Sequence, residues 1–173
     1  MRFRDIPQLT QTARYVVDTS WDYLESQLAS YDERGELDLN PPFQRAHVWD
    51  EEKQHRYVEY ILRGGKSSRD IYFNQAGWMR GYDGPMYLVD GKQRLEAVRK
   101  FLRGELAIFE GCRFSDYTDR LPLEAGFRFH VNNLATYPEV LQWYLDLNDG
   151  GVAHTQEELD KVRQMLAAET AKS

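Results

Sequence analysis

The run Tyr87-Leu88-Val89-Asp90-Gly91-Lys92-Gln93-Arg94-Leu95 leaves the chain little choice of local structure. Met86 to Val89 is a short apolar strand, and Leu95, Val98 and Leu102 recur at helical spacing up to Gly104. Strand therefore passes into helix across Asp90-Gly91-Lys92, and the fold must contain both.

Other segments extend the α+β reading. Trp21, Leu24 and Leu28 predict a first helix over about 20–33, capped by Thr19 or Ser20 and stopped by Gly35. Leu37 to Asn40 reads as a short strand entering the rigid Pro41-Pro42 loop. Asp50 caps a second helix over about 50–63, with Tyr57, Val58, Ile61 and Leu62 along one side. Ile71 to Phe73, Leu106 to Phe109 and Phe127 to Val131 read as further strands. Helices follow from Tyr137 to Asn148, with Pro138 in the first turn, and after the capping box of Thr155 and Glu158. The expectation is one domain over 1–173 with its core in about 15–166, since no repeat or linker divides the chain.

Composition narrows the setting. Cys112 stands alone, which excludes an intramolecular disulfide and a multi-cysteine zinc site and points to a reducing, cytoplasmic compartment. No apolar run reaches the roughly 20 residues that span a bilayer, so no membrane partner is expected. The 22 Lys and Arg against 28 Asp and Glu give a net charge of −6, which argues against indiscriminate coating of nucleic acid. Residues 91–103 run against that total, with Lys92, Arg94, Arg99, Lys100 and Arg103 against Glu96. Such a helix suits nucleic acid or the flank of a phosphate pocket.

Two segments carry the chemistry. At the strand-to-helix turn, the unpaired N–H groups of the first helical turn favour an anion, Gly91 permits close backbone approach, and Lys92 and Arg94 can neutralise phosphate oxygens. Asp90 suits a divalent cation or a water, or an N-cap. In the loop Asn40-Pro41-Pro42-Phe43-Gln44-Arg45-Ala46-His47-Val48-Trp49, Arg45 offers a second guanidinium or an ion pair, and Phe43 and Trp49 read as core anchors.

Together these segments resemble the DGQQR-motif family, the N-terminal domains of GmrSD-type modification-dependent restriction systems, with a ParB/sulfiredoxin-like nucleotide-binding fold. Pro42-Phe43-Gln44-Arg45 with Val48-Trp49 corresponds to the family's first block, and Asp90-Gly91-Lys92-Gln93-Arg94-Leu95 to its motif turn. Leu147-Asn148-Asp149-Gly150-Gly151, followed by Thr155 to Leu159, is similar to a third. The resemblance implies a small mixed sheet with surrounding helices, a helical C-terminal part, and a nucleoside triphosphate site with Mg²⁺. In it Asp90, Gln93 and Arg94 would be catalytic, with Asp90 holding the metal or orienting the attacking water and Gln93 fixing that water. Gln44, Arg45, Gly91, Lys92 and Asn148 would bind the nucleotide. A slow nucleoside triphosphate hydrolase is expected.

Two departures bear on this. Lys92 stands where the motif has its first glutamine, adding a cation and removing an amide acceptor. The His-Asn-His-type nuclease region of larger relatives has no counterpart here, so the chain is expected not to cut DNA alone and to act beside a separate nuclease subunit. The alternative reading is a non-enzymatic DNA- or protein-binding regulator of phage or mobile-element origin. Glu110-Gly111-Cys112-Arg113 carries the Gly-Cys pair of sulfiredoxin on too few residues to outweigh a structural thiol, and His47, His55, His130 and His154 have no metal-ligand spacing.

Overall fold

The computed structural model describes residues 2–11, 15–46, 48–78, 80–148 and 155–172. Among these, four strands, β1 (Tyr15–Ser20), β2 (Asp70–Asn74), β3 (Tyr87–Asp90) and β4 (Gly126–Asn132), form one mixed sheet in the order β1-β4-β2-β3. The helices are α1 (Leu24–Gly35), α2 (Glu51–Leu62), α3 (Lys92–Leu102), α4 (Tyr137–Asn148) and α5 (Gln156–Thr170). The fold class is mixed α+β, and no helix among the described residues is long and apolar enough to cross a membrane.

Strand alternation divides the apolar residues between two cores. Ile71, Phe73, Leu88, Phe127, Phe129 and Val131 pack on one side against Leu24 and Leu28 of α1, Val58 and Ile61 of α2, and Leu95, Val98 and Phe101 of α3. Val89 and Phe43 join Leu141, Trp143 and Tyr144 of α4 and Leu159 and Val162 of α5 in the other. The two middle strands, β2 and β4, run parallel, and the outer pairs are antiparallel.

Local chemistry explains the starts of α2 and α5. Asp50 Oδ1 accepts the Lys53 N–H at 2.7 Å, and Thr155 and Glu158 form the expected reciprocal box. Four expectations need correction. Tyr15–Ser20 is a strand followed by a 3₁₀ turn, Trp21–Tyr23, so α1 starts at Leu24 and Ser20 makes no side-chain cap bond. α1 is closed by Glu36 in the left-handed region, while Gly35 is the last helical residue, where a Cβ would run into the Gln75 side chain. Leu37 to Asn40 contributes only a parallel bridge from Asp38 to Tyr87, because the Asn40 N–H turns back to Asp38 Oδ1. Leu106 to Phe109 forms no strand: Phe109 and Glu110 have positive φ, and the chain doubles back in a turn bridged from Ile108 to Cys112.

β3 lies at the edge of the sheet, where open N–H and C=O groups need cover. Asp38 covers part of it, its carbonyl accepting the Leu88 N–H at 3.0 Å. Gln44 covers more, donating from Nε2 to the carbonyls of Leu88 at 2.9 Å and Val89 at 2.7 Å. The register slips between Tyr72 and Phe73, which face Asp90 and Leu88, so Val89 is an extra residue that bends the strand just before the motif turn.

Candidate functional site

The loop 41–50 and the α3 N-terminus are brought together by two polar side chains of α3 and by two rings of the loop, one buried and one half-buried. Phe43, 3% exposed, is seated in the second core against Tyr144 at 5.2 Å between ring centroids. Trp49 packs on the first core against Tyr57 at 5.4 Å. Between these anchors, Gln93 accepts the N–H groups of Val48 at 2.9 Å and Trp49 at 3.1 Å on Oε1, and its Nε2 donates to the Ala46 carbonyl at 3.2 Å. Lys92 Nζ donates to the Arg45 carbonyl at 3.0 Å. Burial pushes the Lys92 ammonium below its ordinary value, an effect that nearby Asp38 and Glu96 oppose.

Gly91 makes the turn. Its φ of 102° lies in the left-handed region, and a Cβ there would come within 2.5 Å of Ile71 Cδ1 and 3.3 Å of the Asp70 carbonyl oxygen. The turn sets Asp90 and Arg94 side by side, Arg94 Nη2 donating to Asp90 Oδ2 at 2.7 Å. Among the described residues, buried Arg94 Nε has no hydrogen-bond partner.

These groups surround a cleft of about 180 Å³. Its walls include Gln44, Arg45, Asp90, Gly91, Lys92, Gln93, Arg94 and Asn148, every site residue expected from the sequence, now in one place. Trp49 and Lys53 complete the lining. Lys53 was not legible as a site residue. The available signal was the spacing of four from Trp49 into the first turn of α2, which lays its ammonium 5.0 Å from the centre of the Trp49 ring. Arg45 also reaches α5, with a guanidinium nitrogen 4.0 Å from a Glu158 carboxylate oxygen. Asn148 donates from Nδ2 to the Tyr144 carbonyl at 2.6 Å.

The family model of the GmrSD restriction endonuclease N-terminal domain matches residues 25–133. The chain belongs to that family. No curated protein and no solved structure matches it significantly. The matched span of this GmrSD N-terminal domain runs from α1 through β4 and holds both the 41–50 loop and the Asp90–Arg94 turn, while α4, α5 and Asn148 lie beyond it. The chain is thus a module of the restriction-system kind.

Several smaller expectations also find their place in the GmrSD domain. The cations of α3 are largely matched by acids: Arg99 pairs with Glu25 at 2.6 Å, and Arg103 with Glu96 and Glu105 at 3.1 and 2.7 Å. Cys112 is a half-buried free thiol in the 108–112 turn and does not line the cleft. His130 bonds Asp70 at 2.6 Å and stacks on Tyr72, and His55 lies 3.4 Å from Glu51. His47, His154 and residues 149–151 of the third block lie outside the described residues.

Proposed function

We propose that this GmrSD N-terminal domain binds a nucleoside triphosphate by its phosphates in the cleft between the 41–50 loop and α3, and hydrolyses it slowly. The observation that carries the reading is the convergence of Arg45, Lys92 and Arg94 with the N-terminus of α3 on one cleft, in a chain whose total charge is −6. Guanidinium and ammonium groups aimed at a helix start are the ordinary means of receiving phosphate oxygens.

Asp90 suits Mg²⁺ of the kind that nucleotides bring with them. Its Oδ2 is taken by Arg94, while Oδ1 accepts no hydrogen bond among the described residues. No group of three or more His, Cys, Asp or Glu among those residues could hold a metal ion, so phosphate oxygens would have to complete the shell. When bound, the ion supplies neutralisation of the phosphate charge. The protein's own part is to hold the phosphate chain: Arg94 and Arg45 from two sides, the α3 N–H groups from its end. Gln93, with both ends of its amide on the loop backbone, keeps those sides in register. A slow rate follows from a site that positions phosphate well but has its glutamine committed elsewhere.

The family's restriction role makes a nuclease the natural partner. Titration calorimetry with ATP, GTP, CTP and UTP in Mg²⁺, beside a phosphate-release assay on wild type, Asp90→Ala and Arg94→Ala, tests the reading. Binding lost in Arg94→Ala and turnover lost in Asp90→Ala are expected. Absence of binding by all four nucleotides overturns it, and salt-sensitive DNA binding with zero turnover would favour the non-enzymatic regulator instead.

A further inference from the structure

Resting on the reading above, we infer that the cleft recognises the phosphate chain alone and does not discriminate the base, so that an inorganic polyphosphate is a ligand in its own right. The inference comes from what each polar group of the cleft is already doing.

Reading a base requires either a free amide or backbone edge to pair with it, or an open aromatic face on which it can stack. The described lining of the cleft holds three amides, and the structure turns the NH2 group of each to the backbone. Gln44 Nε2 donates to two carbonyls of β3, Gln93 uses both its oxygen and its nitrogen on residues 46–49, and Asn148 donates to the Tyr144 carbonyl. Breaking any of these to meet a base would take a backbone group from its partner. Among the described residues, the one aromatic ring of the lining, Trp49, has the Lys53 ammonium over it and Tyr57 packed edge-on against it.

What remains is charge. Among the described lining residues, Arg45, Lys53, Lys92 and Arg94 outnumber the one acid, Asp90, with Glu158 4.0 Å from Arg45 beside them. The volume agrees: about 180 Å³ is below the roughly 300–1,000 Å³ of pockets that enclose whole drug-sized ligands. It accommodates a run of phosphates and leaves base and ribose outside. Lys92, standing where the family motif carries glutamine, shifts this chain further toward the anion and away from hydrogen-bond readout.

The test is calorimetric competition on the full chain in Mg²⁺, with ATP, GTP, CTP, UTP, inorganic tripolyphosphate and adenosine as probes. The four nucleotides should bind within about threefold of one another, tripolyphosphate should displace them with an affinity within about tenfold, and adenosine should not bind. A preference above about tenfold for one base, or failure of tripolyphosphate to displace a nucleotide that does bind, overturns the inference while leaving the nucleotide reading intact. Failure of every triphosphate to bind removes both.

Discussion

Arg94 and Asp90 neutralise each other across the first turn of α3, the guanidinium donating to the carboxylate at 2.7 Å. The residue suited to phosphate and the residue suited to a cation are therefore each other's partner, and substitutions at the two should move phosphate affinity in opposite directions.

In metal-free buffer, Asp90→Ala should tighten tripolyphosphate binding severalfold by removing the one carboxylate among the described lining residues, and Arg94→Ala should weaken it by about 10- to 100-fold. Both side chains are partly exposed, so unfolding free energies should change by about 1 kcal/mol or less. Calorimetry and urea denaturation check the two statements; a loss of binding in both variants would contradict the opposition.

Gln93 is 7% exposed and makes three hydrogen bonds to the 41–50 loop. Gln93→Ala should cost about 2 kcal/mol, since two backbone donors and a carbonyl lose their partner at once. Hydrogen exchange should speed up at Val48 and Trp49 specifically, whereas a glutamine that only fixed a water would leave those amides protected.

Gly91→Ala should be among the most destabilising single changes in the chain. A left-handed φ and a contact at 2.5 Å with Ile71 act together, for roughly 2–4 kcal/mol in thermal or urea unfolding. Gly104→Ala, also at positive φ but with nothing near its added Cβ, isolates the backbone part and should cost about 1–2 kcal/mol.

Alkaline pH should unfold the protein through its tyrosines. Burial pushes Tyr137 and Tyr144 up to about 12 from an ordinary 10.0 and raises Tyr31 and Tyr57 further. Their contribution is fully present below pH 10 and is lost as pH rises from 10 towards 12, because the unfolded chain releases those protons first. Lys92, depressed by burial, works the other way below its ordinary 10.5, since its penalty in the folded state lifts as it deprotonates. Tyr144→Phe should flatten part of the fall in melting temperature across this window.

The sequence was most legible where the signal is local. Asp50 and the Thr155–Glu158 box bond within three residues, and the Asp90–Arg94 turn is set by a strand, a glycine and a helix in succession. Tyr15–Ser20 escaped because its pairing with β4 depends on partners more than a hundred residues away, and Thr19 and Ser20 also read as helix caps. Phe109 misled because an apolar residue at positive φ is rare, and here the Glu59 carboxylate holds its N–H at 2.8 Å. The cleft residues were identifiable by type, but the direction of each amide was not, since Gln44 and Gln93 bond to groups about 45 positions along the chain.

The parallel pairing of β2 with β4 has a consequence for how the cleft comes into being. Asp70 pairs with Arg128, and closing that loop costs chain entropy before any contact repays it. During synthesis the sheet that carries the Asp90 turn lacks its central neighbour until β4 has left the ribosome, and its second core waits longer still for α4 and α5. The cleft is therefore assembled late, and a chain interrupted before β4 exposes one face of β2 and β3 to other proteins.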